Sequence, residues 1–358
     1  MPDRGWDTHR IVIVAVSVIA LIAGGFLIQR AVQGRPGNTS LAQVSARPAP
    51  SAVSATETPA PPSAAPSPSA SPSPTGPPSR PSTPVPAGFP TPQNTGWRHT
   101  GVKLTAVTSQ YIASKPGEVL DAKDFRGGLR IRADNVTVKR SRVQCGNCSA
   151  IWIDWDVRGT LIQDVEITSK SRTERIDRAI TAGKTHDLTI RRVLVHNTQR
   201  GIEYGYSALI EDSYVDDEYN PTAAHVSAVG GAVMDKDLKL VIRHNWIAGK
   251  PGQNNSAALL YYYETSTNRT IDLLIERNIL NGGTYALWLT ADPRLSGRVT
   301  VRDNLFGTKY HELCGAYNTH FTDKIHELST VKLAWQGNSW HAPGNPKHGK
   351  EVTYHISY

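Results

Sequence analysis

Residues 240–247 read LVIRHNWI, and residues 273–280 read LLIERNIL. Both stretches have the same order: alternating apolar residues, two polar residues, an asparagine, and apolar residues again. Arg243 and His244 carry side chains suited to catalysis, but a pattern that returns along a chain is first a candidate for a structural repeat. The other copies decide between a chemical site and one unit of a fold.

The same order returns along most of the chain after residue 117. An apolar residue at one position of the repeat recurs at intervals of 20 to 34 residues. Period-two alternation predicts short β-strands, and the polar pair between them predicts a bend. The aligned apolar residues are Val138, Ile162, Ile190, Ile210, Ile242, Ile275, Val301 and Trp335.

One position just after the bend carries an amide in the last four copies. A single buried amide would leave hydrogen-bonding groups unpaired, whereas amides stacked from coil to coil satisfy one another. We therefore predict a ladder of side chains inside consecutive coils of a parallel solenoid. The position is filled in chain order by Ser141, Val165, Val193, Ser213, Asn245, Asn278, Asn304 and Asn338.

A further short strand precedes each copy, so the sequence predicts an all-β fold with three short strands per coil and about eight to nine coils. Residues of about 117–340 resemble the right-handed parallel β-helix of the pectate-lyase-like superfamily. The coils DLTIRRVLV and KLVIRHNWI, with following strands such as GIEY, carry this resemblance. It implies a polysaccharide partner but does not select one activity. The sequence HVSAVGG departs from the pattern, since Ser227 and Ala228 stand where many such sequences have Asp-Gly.

The N-terminal part of the chain has a different composition. After a short segment, 1–10, residues 11–28 form an apolar run long enough to cross a bilayer. We expect an uncleaved transmembrane signal anchor, with a cleaved signal peptide as the alternative. Residues 29–95 are rich in Pro, Ser and Ala and predict a disordered linker, which leaves 96–358 as the β-helix domain. The domain is then expected outside the cytoplasm, either membrane-anchored or secreted.

The charge of the folded domain is only mildly positive. Six Arg and three acidic residues lie in residues 1–96, which leaves 33 basic and 28 acidic residues in the rest. Such a balance permits an acidic polysaccharide as partner. It offers no Lys/Arg cluster for nucleic acid, and we expect a monomer without a nucleic-acid partner.

Three cysteines, Cys145, Cys148 and Cys314, allow two arrangements. The sequence CGNC at 145–148 lacks two further ligands at the spacing of a zinc site. An extracytoplasmic location favours a disulfide. We expect the local pair Cys145–Cys148, and the alternative joins one of them to Cys314.

The resemblance directs the search for a site to the outward residues of the first strand of each coil. Exposed aromatic side chains on a flat sheet are suited to stacking on sugar rings. Long loops near His225 and Lys250 flank this surface, and loops on a rigid scaffold commonly carry function. The expected substrate-binding residues are Trp152, Trp288, Arg130 and Tyr262.

A lyase that cleaves an acidic polysaccharide by β-elimination needs a base, a cation that neutralises the substrate carboxylate, and an acid. We predict His225, Glu203, Lys250 and Arg200 as catalytic residues, with Arg178 and Lys184 as further cationic candidates. Ca²⁺ is a candidate cofactor, held by hard oxygen ligands from Asp154, Asp216 and Asp217. The alternatives are a non-catalytic glycan-binding or cell-envelope protein and a glycoside hydrolase with two carboxylates.

Overall fold

The structure is a computed structural model that describes residues 84–216, 225–234, 236–250, 255–290, 292–323 and 325–355. The expected membrane span at 11–28 and most of the expected linker lie outside these residues. Within the described part of the chain, no helix is long and apolar enough to cross a membrane.

Short strands make up nearly all of the regular structure, together with two single-turn 3₁₀ helices, Arg98–Thr100 and Ile325–Glu327. The first thirteen strands are β1 (Thr105–Val107), β2 (Tyr111–Ala113), β3 (Val119–Asp121), β4 (Lys123–Phe125), β5 (Leu129–Ile131), β6 (Thr137–Cys145), β7 (Ile151–Ile153), β8 (Leu161–Ser169), β9 (Arg178–Thr181), β10 (Leu188–Arg191), β11 (Leu194–His196), β12 (Arg200–Glu203) and β13 (Ser207–Glu211). The remaining strands are β14 (Tyr214–Val215), β15 (Val226–Met234), β16 (Leu238–Arg243), β17 (Trp246–Gly249), β18 (Asn255–Glu264), β19 (Arg269–Glu276), β20 (Ile279–Gly282), β21 (Tyr285–Leu289), β22 (Leu295–Arg302), β23 (Leu305–Gly307), β24 (Asn318–Phe321), β25 (Val331–Gln336) and β26 (Ser339–His341).

The strands form two sheets in which every named pairing is parallel. The nine-stranded sheet runs in the order β2-β5-β7-β9-β12-β15-β18-β21-β24. The seventeen-stranded sheet is bent, because each coil adds to it one stretch before the bend and one after it. Each strand of the first sheet is therefore followed by a bent pair of the second, which gives nine coils in the described residues. The predicted all-β, parallel, coiled architecture is confirmed.

The register of the bent sheet follows the repeat that the sequence shows. Ile210 pairs with Ile242, and Ile242 pairs with Ile275. The same holds for each of the other aligned apolar positions, from Val138 to Trp335. Nearly all of these side chains are fully buried, so the repeat marks the core of the solenoid.

A left-handed backbone residue makes the bend in each coil. The residue just before the ladder position has a positive φ, which is unfavourable for residues other than Gly, Asn and Asp. His244 is one of them, with φ 53°. The others are Arg140, Asp164, Arg192, Asp212, Arg277 and Asp303, with φ between 46° and 56°, and Gly337, with φ 64°.

The predicted amide ladder is present behind this bend. Asn245 Nδ2 donates to Asn278 Oδ1 at 2.9 Å, Asn278 Nδ2 to Asn304 Oδ1 at 3.0 Å, and Asn304 Nδ2 to Asn338 Oδ1 at 3.0 Å. Ser213 extends the ladder, because its backbone N–H donates to Asn245 Oδ1 at 2.9 Å. The stack supplies partners for amides that have no access to water, and it fixes the position of the bend in each coil.

The polar pair of the opening stretch forms ion pairs between coils. Arg243 Nε donates to Glu211 Oε2 at 2.8 Å, and His244 Nδ1 lies 2.6 Å from Asp212 Oδ1. Glu211 is only 5 % exposed, and Arg191 binds it from the preceding coil. Oppositely charged side chains thus pair from coil to coil along this edge of the bent sheet.

Residues 84–100 form a strap that runs along the outside of the bent sheet. Phe89 and Val85 pack on Trp246, and Thr95 is buried. The packed region thus begins before the expected boundary at 96, because these few apolar side chains interrupt the Pro-rich composition. Along the strap, Pro84 meets His341, Phe89 meets His244, Gly96 meets Arg192, Trp97 meets Glu166 and His99 meets Asp164.

The two ends of the solenoid are closed in different ways. At the first coil, β1 pairs with β4 and β2 pairs with β5, so short strands extend the sheets at this end. At the last coil, the Trp335 indole N–H donates to the carbonyl oxygen of Val352 at 2.8 Å. The final described residues therefore cover the core at that end.

Candidate functional site

A cavity of about 310 Å³ lies on the outer face of the nine-stranded sheet. Four of the residues predicted from the sequence line it: Arg200, Glu203, His225 and Tyr262. Arg178, a further cationic candidate, lines it as well. The prediction therefore identified residues that are distant in sequence and that the coils bring together.

These side chains lie at the ends of neighbouring strands and line the same cavity. Arg178 and Arg200 are the first residues of β9 and β12, and they pair in register. Glu203 ends β12 and lies beside Gly230 of β15. The residues between them, such as Ile202, are buried, so the charged side chains point outward at the strand ends.

Two glycines, Gly201 and Gly230, lie at the base of this cavity, where a side chain would meet neighbouring atoms. A Cβ on Gly201 would lie 1.9 Å from the carbonyl oxygen of Ala228, so the two backbones approach as closely as only glycine permits. A Cβ on Gly230 would lie 2.4 Å from Ser227 Oγ. The space above β12 and β15 therefore depends on residues without side chains.

Two arginines and one glutamate define the charge of the cavity. Arg178 Nη1 lies 3.0 Å from Glu203 Oε2, in an ion pair that is partly shielded from solvent. Arg200 donates from Nε to the carbonyl oxygen of His225 at 3.3 Å, and its Nη1 lies 3.3 Å from Asp177 Oδ1. Each arginine thus has a carboxylate partner, Glu203 for Arg178 and the half-exposed Asp177 for Arg200, and the described lining itself contains two arginines and one glutamate.

The imidazole of His225 and the phenol of Tyr262 lie at the rim of the cavity. His225 is exposed, and its Nδ1 lies 3.2 Å from Ser256 Oγ. Tyr262 is half-buried on β18 and lines the cavity together with Leu260. Ser256 was not among the predicted residues, although alternation along β18 places it outward like Leu260 and Tyr262.

The surface on either side of the cavity is aromatic. Trp152 is 42 % exposed on β7, while Trp288 packs edge-on against Tyr285 and Phe321 on the far side. Trp155 is 67 % exposed in the turn after β7 and is the more accessible ring, which sequence reasoning missed. The one feature of the sequence that could have pointed to Trp155 was its position directly after Asp154, a residue already predicted for the site.

The other predicted residues lie elsewhere. Arg130 Nε donates to Asp154 Oδ1 at 2.8 Å, so these two form an ion pair on β5 and after β7. Lys250 follows β17 of the bent sheet and does not line the cavity. Asp216 follows β14 in the same sheet and pairs with Lys309.

The three predicted calcium ligands are not brought together by the described residues. Asp154 and Asp216 belong to different sheets, and Asp217 lies outside the described part of the chain. Among the residues that the structure describes, no group of three or more His, Cys, Asp or Glu side chains is placed to hold a metal.

The cysteines take the arrangement that the spacing favoured. Cys145 and Cys148 form a disulfide at the end of β6. Cys314 is a buried free thiol, and burial raises its pKa far above the ordinary value. A protonated, enclosed thiol of this kind is chemically inert and serves as a small apolar residue.

No family model, curated protein or solved structure matches the chain.

Proposed function

We propose that the protein acts on an acidic polysaccharide by β-elimination, in the cavity beside β12 and β15. The observation that supports this most directly is the presence of two arginines beside an exposed imidazole in one cavity. Arg178 and Arg200 stand on neighbouring coils, and His225 lies beside them. A uronate carboxylate is the substrate group whose charge this arrangement complements.

The proposed steps use three side chains. Arg200 binds the carboxylate of the uronate, which makes the hydrogen on the adjacent carbon more acidic. His225 takes that proton, the electrons of the C–H bond form a C=C bond, and the neighbouring C–O bond breaks. Tyr262 donates a proton to the departing glycosidic oxygen. His225 then releases its proton to water and Tyr262 takes one from water, which returns both side chains to their starting states. Glu203 holds Arg178 in place and orients it.

Ca²⁺ does not fit the described lining of this cavity. Calcium takes six to eight oxygen ligands, and carboxylates supply much of the charge. Glu203 is the only carboxylate among the lining residues that the structure describes, and Arg178 already pairs with it. We therefore assign neutralisation of the substrate to Arg200 and derive no step through a metal.

The same lining weighs against the hydrolase alternative. Hydrolysis of a glycosidic bond ordinarily uses two carboxylates across the scissile bond. Among the described lining residues, Glu203 is a single carboxylate and does not supply both. A non-catalytic glycan-binding role remains the second candidate, because the Arg178–Glu203 ion pair and the Ser227–Ala228 departure are compatible with binding alone.

Two finer features of the fold belong to this proposal. We infer a right-handed coil of the pectate-lyase-like type, since parallel strands joined by crossovers are right-handed in nearly all known cases. We also infer that residues 11–28 anchor the chain and hold the domain outside the cytoplasm, where polysaccharide would be accessible.

The test is incubation of the full chain with polygalacturonate, alginate and hyaluronan. A lyase gives an unsaturated product that absorbs in the ultraviolet. His225→Ala should lower the initial rate by about 100-fold or more, as expected for loss of a general base. His244→Ala is the matched control, because this imidazole belongs to the bend and should leave the rate unchanged.

The result also separates the alternatives. New reducing ends without ultraviolet absorbance would favour hydrolysis, and retained binding without either product would favour the glycan-binding role. Absence of both product and binding on all three polymers would refute the proposed substrate class.

A further inference from the structure

A second and larger cavity, of about 550 Å³, lies on the outer face of the bent sheet. The strap covers it on one side through Pro92 and Arg98, and Lys309 with Tyr310 closes another side. Its volume falls within the range of small-molecule sites. Residues at outward positions of a solenoid are ordinarily exposed, yet Glu166 and Asp216 here are only 3 % and 2 % exposed.

Asp216 has a dedicated set of donors. Trp246 Nε1 donates to Oδ2 at 2.9 Å, Tyr214 OH to Oδ2 at 3.0 Å, and Tyr310 OH to Oδ1 at 2.6 Å. Lys309 supplies the opposite charge. These donors come from β14, β17 and the segment after β23, so the carboxylate joins three separate parts of the chain.

Glu166 has a similar set. Trp97 Nε1 donates to Oε2 at 2.8 Å, and His196 Nε2 lies 3.0 Å from Oε1. Arg98 adds an ion pair at 3.1 Å. Burial alone would raise the pKa of Glu166, but the hydrogen bond from His196 and the positive charge of Arg98 outweigh it and hold the pKa below its ordinary value. Both carboxylates of the cavity are therefore held by cations.

Docking of the strap explains only one of these carboxylates. Trp97 and Arg98 belong to the strap, so Glu166 anchors it. The four partners named for Asp216 all lie outside the strap, so docking of the strap does not account for this carboxylate. A simple anchor would also leave no space of this volume between the strap and the sheet.

The balance of charge in this second cavity, together with its apolar lining residues, indicates the class of ligand. Arg98 and Lys309 offset Glu166 and Asp216, so no large net charge is left to attract a polyanion. The donors around each carboxylate fill most of its acceptor positions. The Arg98 side chain is 57 % exposed and that of Lys309 26 % exposed, so both can donate to a ligand oxygen.

Apolar surface completes the cavity. Leu194, Pro92 and the ring of Tyr214 line it, and the Tyr214 ring stacks on Trp246 with an interplanar angle of 10°. A sugar ring offers an apolar face for such walls and hydroxyl oxygens for cationic donors. We propose that this cavity binds a short neutral saccharide, at a second site separate from the cavity on the nine-stranded sheet.

Saturation-transfer NMR on the full chain tests the proposal, with glucose, galactose, mannose, N-acetylglucosamine and their β-linked disaccharides as probes. At least one probe should bind, and Lys309→Met should weaken it by about 10-fold or more, since one charge-assisted hydrogen bond is lost. Leu194→Trp should abolish binding by filling the space. Lys239→Met, an exposed lysine on β16, is the matched control and should change nothing.

Unfolding midpoints in urea show whether each variant keeps its fold, and Lys309→Met decides the matter if Leu194→Trp does not fold. His225→Ala should leave neutral-saccharide binding intact while it lowers lyase activity, so the two proposals fail separately. The inference is overturned if no probe binds at millimolar concentration. It is equally overturned if binding is lost in His225→Ala and kept in Lys309→Met.

Discussion

Removing one rung of the asparagine ladder should destabilise the whole domain. Asn278 is fully buried, and its side chain takes part in four hydrogen bonds. Nδ2 donates to the carbonyl oxygen of Ile242 at 2.9 Å and to Asn304 Oδ1 at 3.0 Å. Oδ1 accepts from Asn245 N at 3.1 Å and from Asn245 Nδ2 at 2.9 Å. Asn278→Ala removes all four.

The size of the destabilisation depends on which hydrogen bonds each partner of Asn278 retains in the variant. Asn245 Nδ2 keeps two carbonyl acceptors, Ile210 and Arg243, so its loss is small. The Asn245 backbone N–H loses its side-chain acceptor, which costs about 1–3 kcal/mol in a buried position. The two bonds donated by Asn278 add about 1 kcal/mol each. We expect the free energy of unfolding to fall by about 3–5 kcal/mol.

Urea denaturation followed by far-UV circular dichroism measures this change. Ser213→Ala is the graded comparison, since Ser213 Oγ accepts only from Val193 N and donates to the carbonyl oxygen of Glu211. It should cost clearly less than Asn278→Ala. A loss under about 1 kcal/mol for Asn278→Ala, or an equal loss for both variants, would refute the view that the ladder stabilises the solenoid.

Three further predictions concern other parts of the domain. Burial raises the pKa of Glu211, but the hydrogen bonds from Arg243 and Arg191 outweigh it, so the pKa in the folded protein is lowered. The stability that results is fully present above about pH 4.3, the pKa of a glutamate in the unfolded chain, and is lost as the pH falls below it. Urea midpoints between pH 6 and pH 2 should show this loss, and Glu211→Gln should flatten it; an unchanged slope would contradict the assignment. Gly201→Ala should lower the melting temperature by several degrees, because the new Cβ meets a backbone oxygen at 1.9 Å, and a melting temperature equal to that of the native chain would argue against the close approach. Reduction of the Cys145–Cys148 disulfide should cost about 2 kcal/mol, as expected for a very short loop, and a calorimetric scan with and without dithiothreitol checks it; an identical transition would show that the bridge does not stabilise the fold.

The coils could be predicted from the sequence because their cause is local and repeated. Alternation around Ile242 and Ile275 specifies strands, and equal positions in successive copies specify a parallel register. The asparagines at 245 and 278 then fix the bend. Each repeat unit is visible within about ten residues, and comparison of units 20 to 34 residues apart gives the register. No knowledge of tertiary contacts is needed.

The cavity on the nine-stranded sheet was partly predictable for the same reason. Arg200 and Glu203 are the two end residues of one short strand, and His225 immediately precedes the next. Their meeting follows from the coil. The Arg178–Glu203 ion pair was not predicted, because which outward charges pair depends on the rotamers chosen in three dimensions.

The strap and the second cavity could not be predicted. A Pro-rich stretch with two apolar residues has the composition of a linker, and nothing local reveals that Phe89 will pack on the bent sheet. Asp216 and Lys309 are 93 residues apart in sequence. Their pairing depends on the segment after β23 folding over the sheet, and no periodic signal encodes it.

The course of the strap determines where the two ends of the domain are found. Pro84 lies beside His341 in the last coil, and the final described residues pack on Trp335 of the same coil. The first coil, with exposed Ile112 and Val119, lies at the opposite pole. A group attached directly at Pro84 or at residue 355 would therefore lie at the same pole, and the first coil would face away from it.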